Sequence, residues 1–319
     1  MEKKTFIKIS RFVLIFFSII GMSSISFSQD LNFQINPTYI SFGKVIPVDE
    51  EGNLRQVIKK MEIEGKIKSN HKWVLKAYLL DNFRDVQNPS STLPSQRMSI
   101  KVSDYSRKKG FIPLSLQSVV IAQGEPTSEE IQLNINLQII IRPYDPPGRY
   151  TSDIIYLLDN GVSTSIEKRI SVEVEVLPLM DVGITPQKLL IKVRTSPEEE
   201  YEDFLGEPIV IILSTNCDWE LKVKGLEDLI DVSDENKKLS IEYLEYRVIN
   251  CGKNWMPVSD KWRSFSKKEV VVARGGSTFE EPDQRAIIKI LYRLKRSWEQ
   301  ASGEYSVGIA YSISTLENK

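Results

Sequence analysis

The chain is expected to be all-β, with two tandem Ig-like β-sandwich domains, and three observations lead there. Apolar and polar residues alternate with period two: Ile131, Leu133, Ile135, Leu137, Ile139 and Ile141 are interleaved with Gln132, Asn134, Asn136 and Gln138. That alternation sets one row in a core and the other in water. Secondly, no long segment keeps the 3.6-residue apolar period of a helix. Thirdly, a set of landmarks recurs in the same order about 150 residues later, a span that suits one sandwich domain.

The first element is an export signal. Lys3, Lys4, Lys8 and Arg11 precede the uncharged apolar run Phe12–Met22, and Ser26 and Ser28 bracket Phe27 ahead of Gln29. This is the three-part pattern of a signal peptide over residues 1–28. The apolar run is shorter than the ~20 residues of a comfortable membrane span. The expectation is an exported chain, periplasmic, cell-surface or extracellular, with no membrane span after cleavage. About 290 residues then remain, enough for two domains, 29–178 and 179–319.

The landmarks define those domains. Ile35-Asn36-Pro37 is echoed by Ile184-Thr185-Pro186, and Ser69–Lys76, "SNHKWVLK", by Thr215–Lys222, "TNCDWELK". Met98-Ser99-Ile100 is matched to Leu239-Ser240-Ile241, and Phe111–Ser115 to Trp255–Ser259. Val119–Gly124 returns as Val270–Gly275. Gly148-Arg149-Tyr150 with Ile154 and Tyr156 returns as Gly303-Glu304-Tyr305 with Ile309 and Tyr311. Turn residues such as Asp145-Pro146-Pro147-Gly148 and Arg274-Gly275-Gly276-Ser277 separate the runs. Leu177-Pro178-Leu179 is the expected junction, too short for a loose tether. One strand, Ile170–Val176, follows the first Gly-x-Tyr strand and has no counterpart after the second. Either it belongs to the second domain's sheet, or that domain has one strand fewer and an edge open to a strand from another subunit.

Candidate residues follow from position. Trp73 with Leu75, and Trp219 with Leu221, share a strand face and are expected as core anchors. Tyr150 and Tyr305 enter strands after Gly-x and are candidates for a tyrosine corner. Cys217 and Cys251 are the only cysteines, and an exported context predicts a disulfide between them. His71 holds the place of Cys217 in the first copy, with no partner residue to suggest chemistry. Trp255, Trp262 and Trp298 fall in loops or strand ends of the second domain, where they would contact a ligand or partner.

The exclusions are equally definite. The 42 basic and 43 acidic residues nearly cancel, so no strong field favours nucleic acid. A single histidine rules out multi-His metal sites within one chain. No GxSxG, P-loop, GxGxxG or HExxH occurs. No enzyme, cofactor or metal site is expected. The acidic runs Glu198–Glu200 and Asp231–Asn236 match no EF-hand loop and are expected as solvated turns.

Trp73-Val74-Leu75 and Trp219-Glu220-Leu221, each followed by an Ile-Pro-type strand and then Gly-x-Tyr-x-x-x-Ile-x-Tyr, resemble the WxL-type surface domains of bacteria, and more distantly secreted fimbrial subunits of the spore-coat-U kind. The second WxL motif usual near the C-terminus is absent, since that strand reads Ile309-Ala310-Tyr311-Ser312-Ile313. The resemblance implies structural work at the surface or in the periplasm. The expected function is a non-enzymatic envelope or cell-surface protein for structure or adhesion, with other envelope proteins or glycans as partners. Two alternatives stand beside it. One is a carbohydrate- or wall-binding module using the second domain's aromatics; the other is a pilus-like subunit assembled by strand donation.

Overall fold

Alternation becomes strand pairing throughout a computed structural model that describes residues 31–316, except for 52–53, 106–109, 163–164, 186–189, 194–200, 204–207, 250–251, 281–283 and 296–301. The expected signal peptide, Cys251 and Trp298 lie outside the described residues.

The N-terminal half opens with β1 (Leu31–Asn36), β2 (Tyr39–Val45), β3 (Val57–Ser69) and β4 (Trp73–Leu79). It continues with β5 (Phe83–Asp85), β6 (Thr92–Leu93), β7 (Met98–Val102) and β8 (Ile112–Pro113). It closes with β9 (Val119–Gly124), β10 (Ile131–Ile141), β11 (Gly148–Asp159) and β12 (Ser165–Val176). One sheet runs β1-β3-β10-β7-β8 and the other β2-β12-β11-β4-β9. Ile135, Leu137 and Ile139 of β10 face Tyr150, Ile154 and Tyr156 of β11 within a single buried cluster. The alternating row Gln132, Asn134, Asn136 and Gln138 lies on the other face of β10.

The C-terminal half begins with β13 (Met180–Thr185), β14 (Leu190–Val193), β15 (Tyr201–Asp203), β16 (Ile209–Thr215) and β17 (Trp219–Gly225). It continues with β18 (Leu229–Asp231), β19 (Lys238–Leu239), β20 (Leu244–Val248), β21 (Trp255–Pro257) and β22 (Arg263–Ser264). It ends with β23 (Val270–Gly275), β24 (Ala286–Lys295), β25 (Gly303–Ser306) and β26 (Ile309–Thr315). Its sheets run β13-β16-β24-β20-β22, β14-β25-β18-β19 and β21-β23-β17-β26, around a second buried cluster.

The two Trp-x-Leu strands make matching contacts. Trp73 pairs with Gly124 and Trp219 with Gly275, and each ladder slips by one residue just after the leucine, at Leu75/Lys76 and Leu221/Lys222. The glycine is needed because the indole lies over it. A Cβ at Gly124 would sit 2.5 Å from Cζ2 of Trp73, and one at Gly275 would sit 2.8 Å from Cζ2 of Trp219.

Two sequence matches are corrected. Met98 opens a strand after a short 3-10 turn, Ser95–Arg97, and the residue in that setting in the second half is Leu244, after the turn Ile241–Tyr243. The Met-Ser-Ile and Leu-Ser-Ile triplets are alike in letters but stand in different settings. The counterpart of Phe111–Ser115 is likewise Trp262–Ser266. Leu114 N–H donates to Met98 O as Phe265 N–H does to Leu244 O. The Ser115 and Ser266 hydroxyls close matching turns on Gln117 O and Lys268 O. Trp255 on β21 packs on Trp219 as Tyr105 packs on Trp73 in the first half.

The halves meet through a buried amide. Leu179 N–H donates to Asn216 Oδ1 at 2.8 Å, and Asn216 Nδ2 donates to Asp145 O at 3.0 Å and Leu177 O at 3.4 Å. Tyr144 and Phe279 meet edge-on beside it, with ring centroids 6.3 Å apart. Proline at 178 ends the ladder of β12, and the Asn216 bonds then hold the connection in one geometry.

Candidate functional site

The strand Ile170–Val176 belongs to the first half. As part of β12 it pairs with β11 along its length, Gly148 opposite Val176 and Asp159 opposite Ser165. Its far edge is covered by β2, which runs parallel to it. Under this cover the inward row of β11, Ile154, Tyr156 and Leu158, is wholly buried.

Among the described residues of the second half that cover is absent. β25 and β26 occupy the place of β11, and β17 flanks β26 as β4 flanks β11. On the opposite side, β14 pairs only with β25, from Leu190 opposite Ser306 to Val193 opposite Gly303. β14 therefore stands where Val174 and Val176 stand in the first half. Among the described residues nothing pairs with the outer edge of β26.

Burial follows the pairing. Ile309, Tyr311 and Ile313 match Ile154, Tyr156 and Leu158, yet they are only half-buried against the core. The facing strand shows the same loss. Leu31, Phe33 and Ile35 of β1 are buried, while Val182 on β13 is 40% exposed and Met180 and Ile184 are half-buried. Main-chain donors and acceptors thus line an edge whose inner side is apolar, the combination that β-strand addition uses. The groove floor is fixed: the Tyr311 and Tyr292 hydroxyls hydrogen-bond to each other, and burial raises both phenols above their ordinary value.

The other sequence-derived residues fall as follows. Trp73, Leu75, Trp219 and Leu221 are buried in the two cores. Trp219 Nε1 donates to Gly276 O at 2.9 Å. The Tyr150 hydroxyl donates back to Pro146 O at 2.9 Å and meets Ser91 Oγ at 2.8 Å, the geometry of a tyrosine corner. Burial pushes its phenol up to about 12. Tyr305 is buried beside Asp231, which raises its phenol after the larger effect of desolvation.

Cys217 is a free, buried thiol with Thr215 Oγ1 3.1 Å away, and burial raises its pKa. The expected bond to Cys251 is not formed here. Trp255 packs on Trp219, with centroids 6.4 Å apart, and is 5% exposed, so it offers no face to a ligand. Trp262 is half-buried beneath the Arg293 guanidinium, 4.5 Å above its ring. Asp231 accepts from the Ser233 and Asp234 N–H groups and the Ser233 hydroxyl, which makes its acidic run a closed turn. Among the described residues no group of three His, Cys, Asp or Glu side chains could hold a metal ion, and no helix is long and apolar enough to cross a membrane.

No protein-family model and no curated protein matches the chain. Among solved structures it is similar to the CupB6 tip adhesin from Pseudomonas aeruginosa, at 12% identity over 91% of this chain and 96% of that one, with a TM-score of 0.35. It is also similar to the CsuC–CsuE chaperone–tip adhesion subunit pre-assembly complex of archaic chaperone-usher Csu pili from Acinetobacter baumannii. That match has 10% identity over 88% of this chain and 99% of that one, at a TM-score of 0.33. The CooA pilin subunit from enterotoxigenic Escherichia coli matches 46% of this chain and 98% of its own, at 14% identity and a TM-score of 0.31. At such scores the overlap is too loose to transfer a residue role or a function.

Proposed function

We propose that the chain is an exported, non-enzymatic assembly subunit of the bacterial envelope or cell surface, built from two copies of one Ig-like unit. The second copy takes an extended strand from a partner protein along β26. The observation that carries this reading is internal to the molecule. The same Ile-x-Tyr-x-apolar strand is fully covered in the first half by β12 and left half-covered in the second. The partner strand runs antiparallel to β26, as β12 does to β11, and presents apolar residues in the places that Ile170 and Ile166 take opposite Ile154 and Leu158.

The chain's own β12 sequence is a ready test. Ser165–Val176 is appended after Lys319 through a flexible Gly/Ser linker, with a scrambled strand as control. Hydrogen exchange should slow across Ile309–Thr315 and the melting temperature should rise, for the genuine strand only. Unchanged exchange in β26 with the genuine strand overturns the reading.

A further inference from the structure

The first half carries a concave site on the outer face of its sheet that strand addition does not use. It has a volume of 440 Å³ and lies between β2, β12, β11 and the turn after β4. That size is within the ~300–1,000 Å³ common for small-molecule sites. Two exposed apolar groups flank it: Tyr39 is 50% exposed and Leu80 is 52% exposed. Its polar groups are held in place before any ligand arrives. Asp153 accepts from Ser171 Oγ at 2.7 Å and from Arg169, whose guanidinium holds the carboxyl below its ordinary value. Asp81 accepts from Arg84 Nε at 2.9 Å. Arg149, outside the cleft, bonds Glu173 on the neighbouring strand.

We infer that this cleft binds a saccharide. Two arginines answer two aspartates, so the site has no net charge and does not select an anion such as a phosphate. A sugar ring presents one apolar C–H face and a rim of hydroxyls. The first suits the Tyr39 ring and Leu80, and the second suits rigid carboxylate and guanidinium groups that accept and donate at fixed angles. All the polar groups lie on paired strands or tight turns, so little order has to be imposed on binding. The inference does not rest on the β26 reading.

The test uses the full chain and saturation-transfer NMR with methyl glycosides of galactose, mannose and N-acetylglucosamine at millimolar concentration, followed by a glycan array. Saturation transfer is expected to at least one glycoside. Tyr39→Ala, at an exposed position, should weaken it about tenfold, and Asp153→Asn should weaken it with the fold intact by circular dichroism. Tyr39→Phe should keep most of the binding. No transfer and no array signal from the unmodified chain overturns the inference. So does binding that Tyr39→Ala and Asp153→Asn both leave unchanged.

Discussion

Asn216 reaches out of the second half and donates its side-chain N–H to the Asp145 carbonyl of the first, 3.0 Å away. The same amide accepts from Leu179 N–H, so one side chain holds both ends of the junction. It is buried, and its removal takes a hydrogen bond from two carbonyls and one N–H. Asn216→Ala is expected to cost about 1–3 kcal/mol and to split one melting transition into two. Differential scanning calorimetry reads this directly, and a single transition at the original temperature refutes it.

Asp145 predicts a pH dependence. Its carboxyl is raised above the ordinary value by burial, which outweighs the Arg142 N–H bond and the charges of Arg97 and Arg142. A raised pKa in the folded state means that folding strengthens proton binding. The stabilisation from this group is complete below the unfolded value and is lost as pH rises through the folded one. Asp145→Asn removes the group's titration. The natural chain should therefore lose stability relative to this variant as pH rises from below the ordinary carboxylate value towards neutrality. Denaturant titrations across that range check the sign, and a natural chain that gains stability on the variant with rising pH contradicts it.

The glycines beneath the tryptophans are a third test. Gly124→Ala and Gly275→Ala each force a methyl into an indole, and each is expected to cost about 1–3 kcal/mol. At Gly110 a Cβ would meet nothing within 4 Å, so Gly110→Ala serves as the control. Equal stability in all three variants would sink the argument.

Tyr150→Phe removes two hydrogen bonds from a buried hydroxyl and should cost about 1–2 kcal/mol. The carbonyl it releases, Pro146 O, adjoins the loop that Asn216 grips. Losses from Tyr150→Phe and Asn216→Ala should consequently be non-additive in a double-mutant cycle. Strict additivity would separate the corner from the junction.

Periodicity made the strands legible in the sequence, since a core on one side and water on the other leave a signature in every second residue. Trp73 and Trp219 were legible as anchors for the same reason. The register of the repeat was less so. Leu239-Ser240-Ile241 resembles Met98-Ser99-Ile100 in letters while standing elsewhere in the ladder, because short apolar triplets occur in any strand. The disulfide expectation rested on compartment and count, which say nothing about the distance between two thiols. Asn216 was visible only as half of an Asn-Asn echo. Its role depends on Asp145, far away in the chain, and no local pattern encodes that pairing. The cleft beside Tyr39 is assembled from distant strands and left no motif at all.

The place of β14 sets a limit on whatever lies along β26. A guest segment can zip up from Thr315 to Ile309, and there it meets a seat already taken. A short guest halts at that point, and a longer one advances only by peeling β14 from β25. On the proposed reading the edge would gauge the guest's length, with a resident strand as its stop.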